Sequence, residues 1–294
     1  MAKKQTRKGN IKQPIVSFGD RLYRLISQSR NFLFVQGETA QLTYQSFVSY
    51  ITEIQKSSTN DITIKYPLGY RADNTTIEGT ATYTKDVLIE RYNFLANIQL
   101  PINSVYQMVT VMESLLGSVL KEILLAFPNK IPSKKKLDFE VVLKAESLEE
   151  IKLSTVNIIL NELAYKSPKD YAEEFERFTG INLLEFPSFH KYIELKATRD
   201  IYIHNNGVAN EIYKAKAGTL ARVEPGVFLP INLHYFLQSY ESCIQTTESL
   251  EKELDKIWPS LEYQNFKRQS LSSQKGDALQ DAIDQVEDNQ KTDN

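Results

Sequence analysis

Between Glu194 and Gly207 the chain reads Glu-Leu-Lys-Ala-Thr-Arg-Asp-Ile-Tyr-Ile-His-Asn-Asn-Gly, which sets a strong cation, Arg199, and a titratable imidazole, His204, in one short stretch. Those two residue types suit phosphodiester chemistry. When RNA is cut without a metal, the 2′-hydroxyl attacks the adjacent phosphorus. A base must then take its proton, an acid must protonate the leaving 5′-oxygen, and a cation must offset the charge growing on the phosphate oxygens. Imidazole exchanges protons near neutral pH, and a guanidinium can hold a phosphate through two N–H groups at once.

The spacing imposes a condition. On an ideal helix the step from Arg199 to His204 rotates by about 500°, which leaves the side chains roughly 140° apart. One helix alone makes an imperfect site, whereas two such helices related by a two-fold axis bring arginine and histidine from both copies around one cleft. Asp200 stands four residues before His204, the interval at which helical side chains meet, so it can orient the ring. The competing reading of a histidine at a helix end is a capping or surface residue. Glu113 can partner Arg199, although its neighbours Gln107, Thr110 and Gly117 place it more simply on a polar or close-packed stripe.

Other site classes find little support. His190 and His234 stand beside Phe189 and Tyr235 and read as packed or half-exposed residues, and no histidine, cysteine or carboxylate spacing suggests a bound metal. No Gly-rich phosphate loop, nucleophile elbow or His-Glu-x-x-His helix is present, so no cofactor is expected. The single cysteine, Cys243, excludes an intramolecular disulfide and suits a reducing, cytoplasmic setting, with the thiol expected in the core.

Net charge is −2, from 35 basic and 37 acidic residues, so any contact with RNA must be local. The basic start, with Lys3, Lys4, Arg7, Lys8 and Lys12, reads as a loose arm without the apolar stretch of a secretory signal. It can bind phosphates or simply aid solubility. Sixteen tyrosines and fourteen phenylalanines offer stacking surfaces for bases, but most are expected in the core or at its rim. The most apolar helical segment, Val105 to Phe127, is interrupted by Glu113, Lys121 and Glu122, and no membrane span is expected.

The elements that must position the site are mostly helical. Periodicity predicts helices in Phe18–Phe34 and Tyr44–Gln55, then a β-hairpin whose strands lie in 62–66 and 76–83 around an Ala72-Asp73-Asn74 turn. That hairpin is expected to cover one side of a helical core. A helix through Val87, Leu88, Tyr92 and Leu95 should break near Leu100-Pro101, and a second should run from Asn103 to Phe127. Lys134, Lys135 and Lys136 then read as a solvated loop. Ser147 can cap a further helix that Ser167, Pro168 and Asp170 punctuate, Tyr171–Phe178 forms the next with Gly180 as its left-handed stop, and Phe189–Ile203 forms the helix that ends at Asn205-Asn206-Gly207. Residues 217–230 suggest a loop or short strand pair, and Leu233 to Ile257 a last helix. From Gln264 onward Ser, Gln, Asp and Asn dominate and a disordered tail is expected, with a transient helix at Ala278–Val286. The expected organisation is a layer over 1–84, a helical bundle over 85–262 and a tail over 263–294.

The string Arg-Asp-Ile-Tyr-Ile-His-Asn-Asn-Gly-Val resembles the signature of HEPN domains: Arg, a polar residue, a few apolar positions, then His commonly followed by Asn. The stretch Ile158–Ile181 is similar to the region that precedes this signature in bacterial members. The resemblance covers roughly residues 85–260. It implies an antiparallel helical bundle that dimerises through the signature helix. In active members it also implies metal-independent endoribonuclease activity in toxin–antitoxin or phage-defence settings, with an antitoxin or defence protein as partner. By this resemblance Arg199 and His204 form the catalytic pair, with Asp200 and Asn205 supporting. Other members have lost catalysis and serve as RNA-binding or interaction modules.

Overall fold

The computed structural model describes residues 16–132, 136–137 and 139–270. The chain is mainly α, with one antiparallel hairpin near its start. Its contacts divide it into two compact units, one formed by the described residues up to Leu25 and from Glu251 onward, the other by Ile26–Leu250. The basic arm, Lys134 and Lys135, and the segment 278–286 lie outside the described residues.

Helix α1 (Phe18–Lys56), whose residues up to Leu25 belong to the smaller unit, is a single helix of 39 residues where two were expected. Gly37 sits within it because the Tyr240 ring packs against its backbone, and a Cβ there would fall 2.8 Å from the ring. The hairpin β1 (Asp61–Tyr70) and β2 (Thr76–Thr84) pairs Asp61 with Thr84 and is held by a Thr63–Thr82 hydroxyl contact and a Lys65–Glu78 ion pair. It does not cover the core, because neither strand contains a buried residue and its helix contacts run to the helix that follows it. Cross-strand pairs hold it together instead.

That next helix, α2 (Lys85–Phe94), does not break before Pro101 as expected. A π-helical turn, Leu95–Gln99, carries it into α3 (Leu100–Ala126), with Leu100 N–H bonding five residues back to Leu95. The wider turn brings proline to the start of α3, where its missing donor costs little. The buried face of α3, with Val105, Met108, Val109, Met112, Leu116, Val119 and Ile123, is the spine of this unit. Against it pack α5 (Leu148–Ala164), α6 (Pro168–Thr179) and α7 (Pro187–His204), and α4 (Phe139–Lys144) rests on α5. The caps fall where the residue types place them. Ser147 and Ser167 accept amide bonds, and Gly180 closes α6 at φ 82°. The short α8 (Glu211–Ala217) folds back on α7, and α9 (Leu233–Ile257) joins it through a Thr246–Ser188 hydrogen bond of 2.9 Å. Cys243 is fully buried there, and burial pushes its thiol up to about 12. No helix among the described residues is long and apolar enough to cross a membrane.

In the smaller unit the chain remains helical over 261–270, here α10, so Gln264 to Ser270 are not an unstructured tail. Composition missed the reason, which is long-range capping. Ser260 Oγ accepts from Tyr263 N–H at 3.1 Å, and Asp20 accepts from Ser260 Oγ at 2.7 Å and Glu262 N–H at 3.1 Å. Arg24 holds Glu262, and Tyr23 packs on Tyr263 at 5.7 Å. Burial raises the Asp20 carboxyl, but its hydrogen bonds to Ser260, Glu262 and Ser17 outweigh burial and leave it below its ordinary value. A carboxyl depressed by folding contributes stability above its unfolded value near ~4 and loses that contribution as pH falls through the folded value. Asp20→Asn is therefore expected to lower stability most at neutral pH, with the gap to the parent chain closing below about pH 4. Urea unfolding at pH 7 and pH 3 measures this, and a gap that does not change with pH refutes it.

Candidate functional site

The last turns of α7 form one wall of a cavity of about 840 Å³, bounded otherwise by α3, α5, α6 and α8. All four residues singled out in the sequence, Arg199, Asp200, His204 and Asn205, line it. Arg199 and His204 thus share a space despite their separation around the helix, because the cavity wraps the helix end between α6 and α8. Lys166, Lys196, Lys216 and Glu113 complete its charged lining. Sequence reasoning passed over the three lysines, of which Lys166 pairs with Glu174. Lys196 lies three residues before Arg199 and so shares its face, which the spacing already showed. Lys216 arrives only through the fold-back of α8.

The cavity charges are interlocked. Arg199 Nη2 donates to Glu113 Oε1 at 2.8 Å, and Lys196 Nζ reaches the same oxygen at 2.7 Å. Glu113 therefore meets the arginine directly and does more than occupy a polar stripe. Asp200 Oδ2 lies 3.1 Å from Lys216 Nζ, and its Oδ1 lies 3.2 Å from Arg199 Nε. The latter pair is close enough for ionic attraction but not aligned for a hydrogen bond, so the buried Nε has no hydrogen-bond partner. Asp200 is thus committed to cations and does not orient His204. His204 is exposed and makes no hydrogen bond among the described residues. The Asn205 amide donates to the Val208 carbonyl, which gives it a structural task in the turn.

Tyrosines form much of the remaining polar wall. Burial first, and the charge of Glu113 second, push the Tyr171 and Tyr192 phenols upward. Tyr213 is pushed up to about 12 by burial. These phenols stay neutral near physiological pH. His190, by contrast, bonds the Leu184 carbonyl at 2.8 Å outside the cavity lining, and His234 is exposed. Among the described residues no group of three histidine, cysteine or carboxylate side chains is placed to hold a metal.

Behind α7 lies a second cluster that the sequence did not reveal. Glu194, 5% exposed, accepts from Thr198 Oγ1 at 2.7 Å, Tyr213 OH at 2.8 Å and Arg222 Nε at 3.1 Å on Oε1, and from Tyr235 OH at 2.7 Å on Oε2. Arg222 also lies over the Tyr235 ring at 3.6 Å and donates to the Pro230 carbonyl at 2.6 Å. One carboxylate so ties α7 to α8, to the loop that follows α8 and to α9. That loop holds a 3-10 turn at Gly218–Leu220 and a Val208–Phe228 bridge in place of a strand pair of its own.

Comparison with protein-family models, with curated proteins and with solved structures finds no match for this chain.

Removing one member of a buried ion pair leaves the other uncompensated, at a cost of about 3–5 kcal/mol. Glu194→Leu is expected to destabilise the chain by about that amount, and Glu194→Gln by less, since an amide keeps one acceptor for Thr198, Tyr213 and Arg222. Chemical denaturation reads both. A Glu194→Leu chain as stable as the parent would show that the cluster contributes nothing net.

Proposed function

We propose that this chain is a metal-independent endoribonuclease of the HEPN type that works as a homodimer, under the control of an antitoxin or defence partner. The observation that carries this reading is that Arg199 and His204 line one open cavity together with Lys196 and Lys216. Four cations, Lys166, Lys196, Arg199 and Lys216, face two carboxylates there, so an entering phosphate meets a local surplus of positive charge although the whole chain carries −2. Among the described residues His204 makes no hydrogen bond, so its ring nitrogens are open to solvent and to substrate. The order Arg-Asp-Ile-Tyr-Ile-His-Asn adds the resemblance to the HEPN signature.

A second reading, a non-catalytic RNA-binding or interaction module, draws on the pairing of Arg199 with Glu113 and its closeness to Asp200. A guanidinium so balanced can serve structure alone. Incubating the purified protein with structured and unstructured RNAs in excess chelator separates the two readings. Cleavage leaving 2′,3′-cyclic phosphate ends is expected, falling about 10²–10⁴-fold in His204→Ala and in Arg199→Ala while fold and oligomeric state persist. Binding without cutting would replace the first reading with the second. Variants that fall apart as dimers would make the pair structural.

A further inference from the structure

Both cations that hold Glu113 sit on the same oxygen. Lys196 Nζ and Arg199 Nη2 lie 2.7 Å and 2.8 Å from Oε1, while Oε2 accepts no hydrogen bond among the described residues. That side chain is 37% exposed, and Oε2 is not among the buried atoms left without a partner. Glu113, with one carboxylate oxygen uncommitted, thus lines the cavity shared with Arg199 and His204.

The other candidate bases in the lining, Tyr165 aside, are excluded one by one. Asp200 turns each oxygen to a cation, Oδ1 to Arg199 and Oδ2 to Lys216. Burial raises the phenols of Tyr171, Tyr192 and Tyr213, so at neutral pH they have no negative oxygen to offer. Lysine and arginine are protonated there. Glu113 and His204 remain, and metal-free RNA cleavage needs two such groups, one to accept a proton and one to donate it.

Resting on the nuclease reading, we propose that Glu113 is the general base of this site and His204 its general acid. Oε2 takes the proton of the 2′-hydroxyl as that oxygen bonds to phosphorus. The P–O5′ bond breaks, and the protonated imidazole of His204 gives its proton to the leaving 5′-oxygen. The products are a 2′,3′-cyclic phosphate and a 5′-hydroxyl, with Glu113 protonated and His204 neutral until solvent resets both. Arg199 and Lys196 offset the charge on the phosphate oxygens, and an arriving phosphate competes with Glu113 for them, which loosens the carboxylate toward the 2′-hydroxyl.

The test uses an RNA that the full chain cleaves, in its ordinary form and with a bridging 5′-sulfur at the scissile bond. A thiolate leaves without protonation, so the acid becomes dispensable while the base does not. On ordinary RNA, Glu113→Gln and His204→Ala should each lower kcat about 10²–10⁴-fold. On the sulfur-bridged RNA, His204→Ala should recover to within about tenfold of the parent, while Glu113→Gln stays down by the same factor as before. Glu113→Asp, which keeps a carboxylate, should fall between parent and Glu113→Gln, and it carries the same comparison if the glutamine variant does not fold. Recovery of Glu113→Gln on the sulfur-bridged RNA, or unchanged or raised kcat on ordinary RNA, would overturn the assignment. If His204→Ala still loses activity in that case, the nuclease reading survives without Glu113 as base. A parent chain that cuts no RNA removes both.

Discussion

The constraint on which the site depends is the burial of the Glu194 carboxylate. A charge withdrawn from water is tolerable only when donors replace the lost hydration, and here Thr198, Tyr213, Arg222 and Tyr235 do so together. Those donors come from α7, α8, the following loop and α9, so satisfying the charge fixes how these segments meet. Few alternative packings supply the same donors, which is how a buried polar network specifies one arrangement. On an ideal helix Lys196 lies about 200° around from Glu194, and Arg199 about 140°. The network grips one side of α7 while the other side carries cations to the cavity. Lys196 and Arg199 thus lie away from the lock, while His204, about 80° around from Glu194, lies nearer to it.

Much of this was legible from local patterns. The helix from Leu233 to Ile257, the Ser147 cap of α5, the Gly180 stop and the hairpin follow from periodicity and turn residues that act within a few positions. The failures share a cause, which is dependence on residues far along the chain. Helix α10 looks like a polar tail until Asp20, some 240 positions away, caps it through Ser260. Gly37 reads as a weak point in α1 until Tyr240 is laid over it. The Pro101 region was expected to break because a proline removes one donor, but a π-helical turn absorbs that loss without ending the helical run.

The candidate site divides along the same line. Arg199, Asp200, His204 and Asn205 stand in one segment, and their shared lining of one cavity follows from the end of α7. Their partners do not. Glu113 contacts Arg199 across 86 positions, and Lys216 reaches Asp200 across 16 through the fold-back of α8. Spacing also misplaced the role of Asp200, since an interval of four along a helix permits a contact but cannot show that two stronger cations will claim the carboxylate first.

The residues after His204 explain why an imidazole at this helix end remains open. Asn206 at φ 50° and Gly207 at φ 79° are both left-handed, and Gly207 N–H bonds back to the Ile201 carbonyl, so the chain reverses immediately beyond the histidine. The reversed chain then pairs with the later loop, Ala209 N–H to the Val227 carbonyl and Leu229 N–H to the Gly207 carbonyl, with the Phe228 ring against Gly207. A Cβ at Gly207 would fall 2.7 Å from that ring and would strain a left-handed backbone as well. Asn-Asn-Gly therefore does two things at once. It stops α7 at the residue meant to face the cavity, and it carries the chain away toward α8, which brings Lys216 back to the same cavity. The order cation, imidazole, then chain reversal is in this sense a geometric arrangement that sets both side chains on one cavity.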